Sequence, residues 1–336
     1  MTLVWYEGAE VHATGTDFDR MYQSGGAGMS RTADPRVPPG VYSLSNASAA
    51  APLVTPSLGV QNTWFVGIGL KGSASDDVVF SFRKAGVEQC YLKRIDQTGD
   101  LFKLAIYRGA VEVDISTETW DSTIWHFFEF KAVVRNGVNG SYELRHNEVN
   151  IASMTGSGVN LAEGGTDGAD VFGFAPFGSS DDIYILNDQG TVNNTFLGDS
   201  AVQEILPDGD GDVTDWTTST GMTHYTLINN LGAEYVKSDT NTQKELFDFE
   251  ALPTTGLGAI FGVMTLPTCK MEAVGSRTLK PKFRNAADAE GDGANFVVSG
   301  TASLDYPAIM EISPVSAVAW TKTEIDGGQL GLEVVS

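Results

Sequence analysis

The residues best suited to chemistry lie in one acidic stretch, residues 207–216, with the sequence PDGDGDVTDW. Asp208, Asp210 and Asp212 match the first, third and fifth positions of a calcium loop of the EF-hand type. The sixth position should be glycine and is valine, and the twelfth should be a bidentate acid and is serine. Glycine and aspartate are also favoured in tight turns. The stretch therefore predicts a hinge, residues 207–215, and leaves open whether the three aspartates hold a cation.

A second group of acids follows a predicted strand in the segment VEVDISTE. Glu112, Asp114 and Glu118 resemble the carboxylates that alternate along one strand face in sandwich glycosidases. At a rise of ~3.3 Å per residue, Glu112 and Glu118 would lie ~20 Å apart along a straight strand. A retaining glycosidase needs its two carboxyl groups ~5 Å apart. The spacing therefore favours an ordinary strand with a polar, solvated face.

The histidines His12, His126, His146 and His224 have no spacing typical of metal ligands. His126 lies within an apolar run, which predicts a core position. The sequence has no nucleophile elbow, phosphate loop or dinucleotide fingerprint. We therefore predict that the chain is not an enzyme, with no catalytic, cofactor-binding or metal-binding residues and no cofactor.

Five basic residues are concentrated in a short part of the chain, here called the basic strip: Lys270, Arg277, Lys280, Lys282 and Arg284. In the segment RTLKPKFR the last three of them share one strand face. In so acidic a protein, such a strip could dock on the acidic surface of another copy. It could equally be an exposed strand edge that lysines protect against aggregation. We predict the basic strip as a possible subunit contact.

The composition excludes several classes of partner. The 336 residues include 43 acidic and 21 basic side chains, a formal charge of −22. Because such a surface repels phosphate backbones and anionic lipids, nucleic-acid binding and membrane insertion are not expected. Cys90 and Cys269 lie far apart, which argues against a disulfide framework and favours folding in a cytoplasm.

Short runs of alternating apolar residues, separated by Gly, Asp and Asn, predict an all-β fold of two tandem antiparallel sandwiches. TWFVGIGLK, DVVFSFRK and LFKLAIYR alternate, whereas IWHFFEFKAVV is apolar on both faces and predicts a central strand. We expect a first domain at 1–206, the hinge at 207–215, and a smaller sandwich at 216–336. The segment HYTLINN, from His224, predicts a strand of the second sandwich. The pattern TKTE near the end predicts one short, capped helix.

Longer segments resemble a known family. WDSTIWHFFEFKAVV and the following GSYELRHNEV resemble strands of concanavalin A-like lectin/glucanase domains. Residues 181–221, from DDIYILNDQG to TDWTTSTG, are similar to virion structural proteins of tailed bacteriophages, and so is AWTKTEIDGGQLGLEV near the end. The resemblance implies that the first sandwich is a concanavalin A-like jelly roll.

The resemblance also implies a virion protein that folds in the host cytoplasm, with no catalytic residues to carry over. A tail or fibre component with a lectin-like surface is the expected role. Its partners would be other virion proteins, copies of itself and a host surface glycan. Two alternatives stay open: a capsid decoration or head-spike protein, and a carbohydrate-binding or carbohydrate-active protein outside a virion. An activity on polysaccharide that Glu112→Gln abolishes would favour the last.

Overall fold

The computed structural model describes residues 2–8, 18–23, 29–37, 42–46, 52–72, 76–174, 178–193, 195–229, 234–254 and 257–336. The chain forms two compact units, Met1–Glu204 and Ile205–Ser336. Nearly all of the regular structure is antiparallel β-sheet, so the predicted fold class is confirmed.

The first unit contains fifteen strands and one short helix among its described residues. The strands are β1 (Thr2–Glu7), β2 (Met29–Thr32), β3 (Ser43–Asn46), β4 (Leu53–Val54), β5 (Thr63–Lys71), β6 (Val78–Lys84), β7 (Val87–Gln97), β8 (Leu101–Arg108), β9 (Val111–Ile115), β10 (Trp120–Asp121), β11 (His126–Val133), β12 (Gly140–His146), β13 (Val149–Val159), β14 (Val171–Phe174) and β15 (Gly178–Asn187). The helix is α1 (Phe18–Met21), and two 3₁₀ turns lie at Gly137–Asn139 and Glu163–Gly165.

These strands form two large antiparallel sheets. The eight-stranded sheet has the order β13-β12-β11-β5-β15-β3-β2, with β1 also paired to β15. The seven-stranded sheet has the order β10-β8-β7-β6-β14-β4, with β9 also paired to β8. Some neighbours are consecutive strands, such as β7 and β8, whereas others, such as β5 and β15, are far apart in the sequence. The predicted jelly-roll sandwich is thus observed.

Aromatic rings fill the space between the two sheets. The rings of Phe82 and Phe130, from opposite sheets, lie 5.9 Å apart, and Phe82 also meets Phe172 at 5.1 Å. Trp64 packs edge-on against Phe172 at 4.7 Å. All four side chains are buried. Because strand side chains alternate between the two faces, this inner layer dictates which residues point outward.

The outer face of the eight-stranded sheet is covered by its own chain. Phe196 packs its ring against Phe65 of β5 at 5.1 Å, and the amide of Gly198 donates to the carboxylate of Glu129 at 2.8 Å. We call residues 195–202 the covering segment. It explains why β11 is buried on both faces, as the sequence predicts.

The second unit contains twelve strands and two helices among its described residues. The strands are β16 (Pro207–Thr214), β17 (Thr217–Thr218), β18 (Val236–Lys237), β19 (Lys244–Phe249), β20 (Val263–Thr265), β21 (Thr268–Cys269), β22 (Ser276–Arg284), β23 (Glu290–Asp292), β24 (Phe296–Ser299), β25 (Leu304–Asp305), β26 (Ala308–Met310) and β27 (Gln329–Val334). The helices are α2 (His224–Ile228) and α3 (Lys322–Asp326).

One sheet organises this unit. It has the order β16-β19-β27-β22-β23, with β24 also paired to β22, and three two-stranded sheets accompany it. Phe283 and Leu330 pack with Trp320 and Ile325 in one apolar cluster. The predicted helix is confirmed as α3, whose N-cap Thr321 accepts the amide of Glu324 at 3.2 Å.

Two sequence predictions for the second unit need correction. The predicted hinge at 207–215 is largely strand β16, which pairs with β19 through an irregular register. Gly209 and Asp210 pair with β19, and the register is irregular on either side of them. The segment from His224, which we expect to be a strand, is helix α2, because Asp210 accepts the amide of Tyr225 at 2.7 Å and holds the helix start.

Among the helices within the described ranges, none is long and apolar enough to cross a membrane.

We predict that Phe82→Ala lowers the free energy of unfolding by about 3–5 kcal/mol, because it leaves a cavity between the two sheets. Val87→Ala is the control, since Val87 is 49% exposed and its loss should cost within about 0.5 kcal/mol. Urea unfolding of the full chain followed by circular dichroism measures both. Equal effects of the two substitutions would contradict packing of the sheets through Phe82.

Candidate functional site

The outer face of the seven-stranded sheet carries two tyrosines side by side. In β7 and β8 the residues that alternate with the buried Leu92 and Ile106 point away from the core. Tyr91 and Tyr107 occupy such positions, and they are direct partners in the β7–β8 register. Both side chains are half-buried, so part of each ring faces solvent.

The two tyrosine rings form a rigid pair. Their centroids are 5.3 Å apart and their planes differ by 6°. Each hydroxyl is held as a donor: Tyr91 donates to the carbonyl of Gly109 at 2.9 Å, and Tyr107 to the carboxylate of Glu112 at 2.9 Å. Burial, followed by the bond to Glu112, raises the pKa of Tyr107 to about 12, which keeps this donor protonated.

Charged groups surround the tyrosine pair. The Lys93 ammonium lies 5.6 Å from the centroid of the Tyr107 ring and 3.8 Å from the carboxylate of Asp76. Lys103 follows the same alternation on β8, between the buried Phe102 and Leu104. The face therefore combines aromatic rings with positively charged donors and negatively charged acceptors of hydrogen bonds.

Glu88 and Arg83 extend this face along β7 and β6, where they are register partners. Burial raises the pKa of Glu88, while Arg83 and the Ser81 hydroxyl favour its ionised form. The register shifts between Phe82 and Arg83, which brings Glu88 opposite Arg83 instead of its neighbour. We call Asp76, Arg83, Glu88, Tyr91, Lys93, Lys103, Tyr107 and Glu112 the tyrosine face.

The tyrosine face suits a ligand with an apolar side and many hydroxyls. Aromatic rings accept the C–H face of a sugar, while carboxylates and ammonium groups bond its hydroxyls. A cross-strand aromatic pair also stabilises the sheet by roughly 0.2–1 kcal/mol. Structural stabilisation does not require charged donors and acceptors on both sides of the pair, and these are what a polar ligand would use.

The opposite outer face holds a carboxylate in a closed site. Glu129 is buried and accepts hydrogen bonds from Tyr184 and from the amide of Gly198, while its second oxygen has no hydrogen-bond partner. Burial raises the pKa of the Glu129 carboxyl and that of the Tyr184 hydroxyl. The covering segment closes this cluster from outside. The cluster around Glu129 therefore fixes the covering segment to the sheet, and a large ligand cannot reach it.

Arg36 ties the same region together. Its Nε lies 2.7 Å from Asp182 on β15, its Nη1 pairs with Asp199, and its guanidinium lies 4.6 Å from the centroid of the Phe127 ring. These contacts join the covering segment to β15 and β11.

Two of the histidines contact each other, and a third contacts a glutamate. His126 is buried, as predicted, and its Nδ1 lies 2.9 Å from Nε2 of His146. Burial lowers the pKa of both, that of His146 to about 4. In the second unit, Nδ1 of His224 lies 2.6 Å from the buried carboxylate of Glu245. His12 lies outside the described residues.

The acids of VEVDISTE do not act together. Glu112 is opposite Tyr107, but a register shift turns Asp114 toward Tyr142, whose hydroxyl donates to it at 2.5 Å. Glu118 accepts a hydrogen bond from Ser153 at 2.5 Å. Only the first of the three acids belongs to the tyrosine face.

The three aspartates of PDGDGDVTDW also have separate surroundings. Asp210 faces helix α2, Asp212 lies 3.7 Å from Arg284, and Asp208 is an exposed residue of β16. Within the described ranges, no three His, Cys, Asp or Glu side chains are grouped so that they could hold a metal ion.

The basic strip is neutralised within the second unit. Lys280 and Lys282 contact Asp292 at 2.8 and 2.5 Å, and both lie within 3.5 Å of Glu333. Lys282 also contacts Glu290 at 3.3 Å. On the predicted shared face, these lysines of β22 thus form ion pairs with acids of the neighbouring strands β23 and β27.

The remaining members of the strip have local contacts as well. Arg284 contacts Asp288 at 2.8 Å, Arg277 donates to a main-chain carbonyl at 3.0 Å, and Lys270 lies 5.8 Å from the centroid of the Tyr235 ring. A role of the strip as a subunit contact stays a prediction.

The tyrosine pair is missing from the predictions made on sequence alone. Its signal is present in CYLKR and KLAIYR, where tyrosine occupies the polar position of an alternating run. The register that makes Tyr91 and Tyr107 neighbours is a tertiary property, however, and no local pattern encodes it.

No protein family matches the chain, and no curated protein is similar to it. One similar solved structure is the alginate lyase Aly36B, at 11% identity and a TM-score of 0.36, covering 54% of this chain and 95% of that one. The endo-beta-1,4-glucuronan lyase of the fungus Trichoderma reesei has 11% identity and a TM-score of 0.34, with coverages of 55% and 95%. The catalytic domain of a glycoside hydrolase family 131 protein from Coprinopsis cinerea has 12% identity and a TM-score of 0.29, with coverages of 59% and 99%.

These similar structures contradict the prediction that the chain is not an enzyme, and we withdraw it. The prediction rested on missing local motifs, whereas groups on a sheet face come from distant parts of the sequence. Identities and TM-scores at this level transfer no activity or substrate to this chain.

We predict that the Glu245–His224 pair makes the second unit sensitive to pH. Burial raises the pKa of Glu245 from 4.5 to about 7, opposed by the Trp216 amide and His224 and reinforced by Asp210. Between these two pKa values the folded state binds more protons than the unfolded state, so stability falls as pH rises through this window.

The measurement compares urea unfolding of the full chain and of its Glu245→Gln variant at pH 5 and pH 8. On going to pH 8, the parent should lose about 1–3 kcal/mol more than the variant, because this interval spans most of the rise in the Glu245 pKa from 4.5 to about 7, at about 1.4 kcal/mol per unit. An identical pH dependence in both proteins would show that Glu245 titrates normally.

Proposed function

We propose that this protein binds carbohydrate and that the tyrosine face is its contact surface. One observation carries the proposal: a half-buried, parallel tyrosine pair lies among carboxylates and ammonium groups on the outer face of a jelly-roll sheet. The ring pair would support the apolar side of a sugar, and the charged groups would bond its hydroxyls.

The fixed tyrosine hydroxyls favour binding. Tyr91 and Tyr107 already donate to Gly109 and Glu112, so their side chains lose little freedom when a ligand arrives. Preorganisation of this kind reduces the entropic cost of association. The rings lie on central strands of the sheet, which positions them more precisely than a loop would.

Placement of the protein in a virion stays a proposal from the sequence resemblance. A carbohydrate-binding jelly roll would serve a tail or fibre component in host attachment, where many weak contacts add up through copy number. The alternative positions, as a capsid decoration or outside any virion, are compatible with the same surface.

We predict that Tyr107→Ala weakens glycan binding at least tenfold. Removal of this ring eliminates half of the aromatic surface and the ring that the Lys93 ammonium faces, a loss of about 1.4 kcal/mol or more. The test is a screen of immobilised hexasaccharides of glucose, mannose, xylose, N-acetylglucosamine and uronic acids, followed by calorimetry with each sugar that binds.

Tyr235→Ala is the matched control. Tyr235 of the second unit also has lysines near its ring, at 5.8 and 6.0 Å, and donates to Glu272 at 3.1 Å, but no second ring of the described residues stacks on it. Its loss should leave binding unchanged. Binding that survives Tyr107→Ala, or no binding to any of these sugars, would contradict the proposal. If new reducing ends form from the oligosaccharides in the same incubations, and Glu112→Gln abolishes their formation, the protein cleaves the sugar that it binds.

A further inference from the structure

We infer that the glycan bound by the tyrosine face is uncharged, an inference that rests on the proposed function. The face carries three cations, Arg83, Lys93 and Lys103, and three carboxylates, Asp76, Glu88 and Glu112. Their charges cancel. A surface that selects an anionic sugar needs an excess of cations, as in other recognition sites for carboxylate and phosphate groups.

Two of the three cations already have a carboxylate nearby. Lys93 lies 3.8 Å from Asp76, and Arg83 is the register partner of Glu88 and favours its ionised form. Neither Arg83 nor Lys103 forms an ion pair within the described part of the chain. An incoming carboxylate would compete with Asp76 at Lys93 and with Glu88 beside Arg83, and both carboxylates would repel it.

Long-range charge acts in the same direction. The chain has a formal charge of −22, which repels polyanions over a distance comparable to the Debye length. Glu112 is exposed, and its carboxylate lies at the edge of the tyrosine pair. A uronate that stacks on Tyr107 would bring its own negative charge close to this group.

An uncharged pyranose uses the same groups without conflict. The hydroxyls of Tyr91 and Tyr107 already donate, so their remaining lone pairs accept hydrogen bonds from sugar hydroxyls. Glu112 accepts further sugar hydroxyls, and Lys103 donates to ring or hydroxyl oxygens. The face therefore selects for hydroxyl groups and against carboxylates.

The test is calorimetry of the full chain with cellohexaose and mannohexaose against hexamannuronate and hexaguluronate. The uncharged sugars should bind at least tenfold more tightly. Their affinity should be unchanged between ionic strengths of about 0.01 M and about 1 M, which shorten the Debye length from about 30 Å to about 3 Å. Glu112→Gln should weaken uncharged sugars about tenfold, because it replaces a charged acceptor.

The outcomes separate this inference from the proposed function. Hexuronate binding that equals or exceeds that of the uncharged sugars, and that Tyr107→Ala abolishes, would overturn the inference and leave carbohydrate binding in place. The absence of binding to all four sugars, in a protein whose circular dichroism is native, would overturn both. Equal affinity of the Glu112→Gln variant and the parent would remove Glu112 from the contact surface and contradict the assigned selectivity.

Discussion

Aromatic packing between the two large sheets is the constraint on which the first unit depends. Phe82, Phe130 and Phe172 meet at ring distances of 5–6 Å, and they are buried completely or nearly so. Because successive side chains of a strand point to opposite faces, the residues next to these inward-pointing rings point outward. The outward position of Tyr91 and Tyr107 is a consequence of this inner layer.

The two outer faces then differ because one of them is covered by its own chain. The covering segment is fixed to the eight-stranded sheet by Glu129, Arg145 and Phe196, and it encloses a carboxylate whose pKa burial raises. On the seven-stranded sheet, the tyrosine pair remains half-exposed among paired charges. Polar groups are thus found on both faces, and among the described residues those of the tyrosine face remain partly open to solvent.

Strong periodicity made much of this architecture predictable. Trp64, Val66 and Ile68 alternate into the core as expected, and β11 is covered on both faces. Irregular pairing caused the failures. Val78 was expected on the face of Phe80, but a register shift places it opposite Lys93 on the outer face. Bulges of this kind depend on the partner strand, so the sequence of one strand does not reveal them.

The second unit shows the same limit. The acidic stretch has the composition of a turn, yet pairing with β19 makes it an edge strand, and Asp210 holds the start of α2. The basic strip was recognised from its charges, but its acidic partners were not, because strand pairing brings them there: Asp292 from the next strand, β23, and Glu333 from the distant β27. In both units, tertiary register determines which functional groups become neighbours.

The central claim is that sugar contacts Tyr91 and Tyr107. Ring-labelled tyrosine in the full chain reports it directly, because nuclear magnetic resonance follows all 10 tyrosines while an oligosaccharide from the binding screen is added. The account predicts saturable shifts of the Tyr91 and Tyr107 ring signals, each identified by its phenylalanine substitution, with the Tyr184 and Tyr235 signals unchanged. Shifts confined to other tyrosines, or none during saturable binding, would contradict it.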